Sequence, residues 1–196
     1  HEIYVSPSGS DDTGDGTIGN PNSTVEFSVA SLKQAGHLDN GHVYLMEGEY
    51  DAIGLHALGF DANADMNTWL TISAAPGLSR DRVIVRGFNT NSDAELLRFE
   101  RITFFSPTGS TFTWFVGGLG TYSRYLWLND CNFVGEARSN SVQLVNGIQA
   151  AFLTDINFVN NKGGLSGTHF MRNVHIEHIG GDSFSGSRLV LNCSVR

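Results

Sequence analysis

Downstream of residue 96 the chain repeats one short pattern of apolar and polar positions. Five segments align without gaps: 97–104 (LRFERITF), 126–133 (LWLNDCNF), 151–158 (AFLTDINF), 169–176 (HFMRNVHI) and 188–195 (RLVLNCSV). Their anchor column is Arg101, Asp130, Asp155, Asn173 and Asn192. Two places before it stand Phe99, Leu128, Leu153, Met171 and Val190. One place after it stand Ile102, Cys131, Ile156, Val174 and Cys193, and three after it Phe104, Phe133, Phe158, Ile176 and Val195. All of these are apolar. The column between the last two, Thr103, Asn132, Asn157, His175 and Ser194, is polar throughout. Alternation with period two and one apolar face predicts strands buried on one side. Its recurrence in register predicts coils stacked into a solenoid.

The anchors lie 29, 25, 18 and 19 residues apart, so the loops vary while the strand–bend–strand unit does not. Asp and Asn dominate the column, and both tolerate left-handed backbone and bond to their own turn. A sharp bend is therefore expected at each anchor, sending the two strands of one coil into different sheets. Stacking would place like residues about 4.8 Å apart. Cys131 and Cys193 share a column three coils apart, roughly 14 Å at strand spacing. A disulfide needs Cα atoms within about 7 Å, so both cysteines are expected to be buried free thiols.

Upstream, one segment reads as a helix. Ser23 and Glu26 have capping-box spacing, and Val25, Val29 and Leu32 form an apolar stripe that should end near Gly36. A short strand, 42–46, follows. Composition agrees with a compact, turn-rich β protein: 23 Gly, 4 Pro and 16% charged residues in 196. The expectation is one domain, with residues 1–50 supplying a strand, a loop and the cap helix, and residues 51–196 the coils. No apolar run approaches the roughly 20 residues of a membrane span. Twelve Lys+Arg against 20 Asp+Glu give −8, without the basic stripe of a nucleic-acid binder. That charge repels acidic polymers unless a cation bridges them.

The opening IYVSPSGSDDTGDGTIGNP (3–21), the strand VYLMEGEY (43–50) and the segment WLTISAAPG (69–77) resemble the start of secreted right-handed parallel β-helix proteins of the pectate-lyase-like superfamily. The resemblance spans nearly the whole chain and implies an all-β, right-handed parallel β-helix with an N-terminal capping α-helix, in an extracellular setting. It specifies fold rather than reaction, because members include polysaccharide lyases, hydrolases, epimerases and adhesins. Chains of this family usually run further and end in a cap. Here residue 196 directly follows a core strand, so the expectation is either a fragment or an open coil that another chain covers, by end-to-end self-association.

The resemblance also implies candidate chemistry. Lyases of this kind abstract a proton beside a uronate carboxylate with a Lys or Arg base, while calcium acidifies that proton. Lys162 is the one lysine of the coils, since Lys33 lies on the cap helix; an exposed turn lysine is its plainer reading. Asp182, in IGGDSFSG (179–186), is a candidate acid or calcium ligand, or a turn carboxylate. Asp11, Asp12 and Asp15 offer oxygen donors for Ca²⁺ in a glycine-rich loop, or simply make a solvated turn. Asp130 and Asp155 could be mistaken for a hydrolase pair, but they belong to the bend column. Arg172, His175 and Trp127 are candidate substrate contacts. His169, His175 and His178 lack an acidic or cysteine partner at metal-site spacing. Trp127, Phe152, Phe170 and Leu189 form an outward column that could carry sugar rings, or be covered by loops such as 106–122. The favoured function is calcium-assisted β-elimination of a uronate polysaccharide. A hydrolase of the same fold, a carbohydrate-binding module and a self-assembling structural coil are the alternatives.

Overall fold

The computed structural model describes residues 1–51, 53–54, 68–86, 96–106, 125–135, 150–159, 165–177 and 184–195. Within them the chain is mostly β, with a single α-helix, and its strands pair in parallel. Two ladders run side by side. The first joins β1 (Glu2–Val5), β2 (His42–Leu45), β4 (Leu70–Ala74), β6 (Leu96–Glu100), β8 (Tyr125–Asn129), the first half of β10 (Ala150–Val159), the first half of β11 (Leu165–Glu177) and β12 (Phe184–Leu191). The second joins β3 (Gly48–Tyr50), β5 (Val83–Arg86), β7 (Thr103–Ser106), β9 (Asn132–Gly135), the second halves of β10 and β11, and β13 (Ser194–Val195). Strands β10 and β11 run through both ladders and tie them into one sheet that does not close on itself. This architecture is compatible with a β-helix or solenoid.

The bend between ladders falls where the repeat places it. Arg101, Asp130, Asp155, Asn173 and Asn192 have φ of 55°, 52°, 57°, 54° and 53°. Left-handed backbone costs an ordinary L-residue about 1–2 kcal/mol, less for Asn and Asp, whose short side chains bond locally. Here those side chains bond along the stack: Asn173 Nδ2 donates to Asp155 Oδ1 (2.7 Å) and Asn192 Nδ2 to Asn173 Oδ1 (3.4 Å). The polar column behind the bend forms a second chain of bonds, from Asn157 to Asn132 (3.1 Å) and from Asn132 to Thr103 (3.3 Å).

Register follows the aligned columns: Leu97, Leu126, Ala151 and His169 are successive partners, as are Phe99, Leu128, Leu153, Met171 and Val190. Inward side chains therefore stack like on like. Phe99, Phe104, Phe133 and Phe158 are fully buried, and ring centroids lie 5.0 Å apart for Phe104–Phe133 and 4.9 Å for Phe133–Phe158. Each such ring contributes about 1.5–3 kcal/mol on burial. Cys131 is a buried free thiol, and burial pushes its pKa up to about 12. Cys193 is also free but only half-buried, and Val190 is 50% exposed, because no described coil covers the last one.

Helix α1 (Val25–Gln34) packs against β1 and β2 and buries Val25, Val29 and Leu32. Its N-cap is Thr24, one residue later than the Ser23 capping box suggests. Thr24 Oγ1 accepts from Phe27 N at 3.2 Å. The shift has a local cause: Asp11 Oδ1 takes the amides of Ser23 (2.8 Å) and Thr24 (3.0 Å), holding Ser23 outside the helix. Glu26 instead accepts from Gly54 N. The helix ends at Gln34 with Ala35 as C-cap, and the φ of 71° at Gly36 suits a glycine just after it.

Phe133→Ala would remove the ring held between Phe104 and Phe158. The expected loss is about 3–5 kcal/mol, measured as a lower urea midpoint with an unchanged slope.

Candidate functional site

The outer face of the first ladder carries the densest chemistry among the described residues. Outward positions form two rows. One reads Glu2, His42, Thr71, Arg98, Trp127, Phe152 and Phe170; the other reads Tyr4, Tyr44, Ser73, Glu100, Asn129, Thr154 and Arg172. On β4 the outward residues are only Thr71 and Ser73. On its neighbours they are His42 and Tyr44 to one side and Arg98 and Glu100 to the other. Short side chains between long ones leave a valley along β4. Two adjoining depressions of about 590 and 520 Å³ occupy it and share His42 as a wall. Trp69 stands at one end. The turn Pro76–Ser79 and Arg101 close the other.

Side chains in the valley hold one another. His42 Nε2 and Ser73 Oγ are 2.8 Å apart across the strand pair, and Ser73 Oγ donates to the carbonyl of Ala74 (3.1 Å). His42 also stacks on Tyr44, with centroids 3.9 Å apart. Glu100 pairs with Arg98 and accepts from Asn129 Nδ2 (3.3 Å). Arg98 lies over the Trp127 ring, 4.3 Å from its centroid, a cation–π contact. Arg101 reaches back from the bend, its Nη2 donating to the Ala74 carbonyl at 2.7 Å. From Trp127 a row of half-buried rings continues along the stack: Trp69–Trp127 at 5.7 Å, Trp127–Phe152 at 6.3 Å and Phe152–Phe170 at 5.2 Å. Planar rings beside bidentate polar groups are the equipment for binding a polyhydroxylated ligand in an open groove.

Burial lowers the pKa of His42; Glu100 and Glu2 pull it up but do not overcome desolvation. His42 is therefore neutral near pH 7, a donor or acceptor in the valley rather than a cation.

Residues singled out from sequence are distributed unevenly over this geometry. Trp127 and Arg172 both face outward from the first ladder, two coils apart. His175 lies beyond the Asn173 bend, on the second ladder, bonded to Ser194 (2.6 Å), so Arg172 and His175 belong to different ladders. Asp11 is engaged at the cap of α1: Oδ1 takes two amides and Oδ2 accepts from Thr24 Oγ1 at 2.7 Å. Desolvation opposes its ionisation, but these bonds outweigh it and hold the carboxyl below its ordinary value. Asp15 Oδ1 closes a turn onto Thr17 N (2.9 Å), and Asp12 is exposed. Among the described residues no three His, Cys, Asp or Glu side chains converge as a metal site. Asp130 pairs with Arg80 at the bend (2.9 Å). Lys162, Asp182 and His178 lie outside the described residues. His42, Tyr44, Trp69, Arg98, Glu100 and Arg101 are not among the sequence candidates, although Arg101 is the odd member of an otherwise Asp/Asn column.

Compared with protein-family models, curated proteins and solved structures, the chain matches none.

The depressed pKa of His42 sets a pH window. The unfolded chain takes up this proton near pH 6.5 and the folded chain only lower. Between the two values the unfolded state binds more protons, so stability falls with acidification. The contribution is complete above about pH 6.5 and drains as pH drops below it. His42→Gln should flatten the thermal midpoint between pH 7.5 and 5, where the native protein declines.

Proposed function

We propose that the protein is an extracellular, polysaccharide-active right-handed parallel β-helix that holds a glycan chain in the valley along β4. The observation that carries this reading is the valley itself: a strand whose outward residues are only Thr71 and Ser73, walled by Trp69, His42 and Tyr44 on a scaffold of stacked coils. Sugar recognition needs flat apolar faces for the rings and fixed donors and acceptors for the hydroxyls, and the valley supplies both. The right hand is supported by the near-universal handedness of parallel crossovers and by the likeness of residues 3–21, 43–50 and 69–77 to pectate-lyase-like proteins.

The reaction proposed on that scaffold is calcium-assisted β-elimination of a uronate polymer. Lys162 would serve as base and Asp182 as acid or calcium ligand, with the Asp11–Asp15 loop as a further source of oxygen donors. A second reading, binding without turnover, is favoured by one observation. Glu100 is the single carboxylate lining the valley among the described residues, and Arg98 and Asn129 already engage it. A hydrolase needs two carboxyl groups across the bond.

The test is ultraviolet absorbance of uronate polysaccharides incubated with the protein, first with calcium and then with chelator. A calcium-dependent rise that Lys162→Ala abolishes is the expected result. New reducing ends without absorbance would replace the lyase by a hydrolase, and retention without product would leave a binding module. Trp69→Ala should weaken glycan retention about tenfold, the equivalent of 1.4 kcal/mol, in any of these cases.

A further inference from the structure

We infer that the bend-side end of the valley is a subsite for an anionic group on the sugar chain, a carboxylate or a sulfate ester, with Arg101 as the cation that selects it. The inference rests on the glycan reading above and deepens it. Its first ground is the backbone. Four of the five bend residues are Asp or Asn, which suit left-handed geometry; the fifth is Arg101, at φ 55°. Arginine gains nothing at such a bend over asparagine, so the reason for its presence lies in its side chain.

The second ground is where that side chain goes. Arg101 lines the larger depression, about 590 Å³, with His42, Tyr44, the Pro76–Ser79 turn and Glu100. Among the described residues its hydrogen bond is a single one, Nη2 to the Ala74 carbonyl. Its Nε is enclosed with no protein partner, and among the described residues Nη1 makes no hydrogen bond, which leaves two N–H donors for an anionic oxygen.

Charge supplies the third ground. Glu100 is the carboxylate nearest this guanidinium in the depression, and it is already committed to Arg98 and Asn129. His42 is held neutral. Within the depression Arg101 therefore faces a single carboxylate that Arg98 already engages, and Glu2, beside it, accepts from the Tyr44 hydroxyl (3.3 Å), in a protein whose net charge is −8. A local cation of this kind lets an acidic chain dock without a bridging metal, against the general field of the molecule.

The experiment is calorimetric titration of the whole protein, in chelator, with three probes: an oligouronate, its carboxyl-reduced counterpart and a sulfated neutral oligosaccharide of the same length. Wild type is expected to bind the acidic probes at least tenfold tighter than the reduced one, and the stronger acidic probe identifies carboxylate or sulfate. Arg101→Asn restores the residue type found in the other bends, so its thermal midpoint should not fall. It should lose that tenfold preference while keeping its affinity for the reduced probe within twofold. Unchanged acidic binding in Arg101→Asn would overturn the subsite. So would equal loss of all probes with a lowered midpoint, which marks a purely structural arginine. Binding of the reduced probe alone, or an acid preference that appears only when calcium is restored, overturns it while leaving the glycan reading intact. Failure of wild type to bind any probe, in chelator or calcium, would sink both.

Discussion

The whole architecture depends on one backbone conformation repeated at one position per coil. Five residues held at φ between 52° and 57° turn the chain from one ladder into the other. Left-handed backbone is unfavourable for an L-residue on its own, and what retains it here is the stack. Backbone bonds cross the bend from coil to coil, as from Asp130 N to the Thr154 carbonyl (2.9 Å) and from Arg101 N to the Asn129 carbonyl (3.1 Å). Each bend is thus templated by its neighbours, and each fixes the phase of the strands on both sides. A slip of one residue would turn the phenylalanine column outward and the asparagine column inward.

Phase in turn decides both what is buried and what is offered to solvent. Inside, like residues meet, so phenylalanine stacks on phenylalanine. Outside, the rows have no such rule, and their relief follows from side-chain size alone. Thr71 and Ser73 sit low between His42 and Tyr44 on one strand and Arg98 and Glu100 on the other, which makes a valley out of a regular sheet. Ser73 is completely buried although it belongs to the outward row, because the histidine leans over it.

These two consequences differ in how far sequence alone reveals them. Period two and the anchor column are local and repeated, so residues 97–195 disclose their strands, inward columns and bends, and the separation of the two cysteines. The valley is neither local nor repeated. It depends on β2 and β4, which lie outside the aligned segments, and on the apposition of His42 with Ser73, 31 positions apart. Thr71 and Ser73 are unremarkable until their neighbours are known. The helix start is displaced for a similar reason: Asp11, twelve residues upstream of Ser23, captures its amide. Arg101 was legible as the exception in its column, but an exception acquires chemical meaning only when the cavity beside it is seen.

The turn between β4 and β5 crosses the bend column instead of repeating it. From it Arg80 Nη1 donates to Asp130 Oδ1 (2.9 Å) and to the Asp155 carbonyl (3.1 Å), while Thr103 Oγ1 donates back to the Arg80 carbonyl (2.9 Å). A stack of coils otherwise behaves as a one-dimensional array with nearest-neighbour couplings, which melts by fraying from its ends. Arg80 adds longer-range links that skip one coil to reach Asp130 and two to reach Asp155. The coils from β4 to β10 are thereby tied to one another directly, and the valley lies on the first strand so tied. Coils beyond Asp155 have no such strap among the described residues. Fraying from that side therefore reaches β10 before it meets the strap, and β4 with its valley lies on the far side of it.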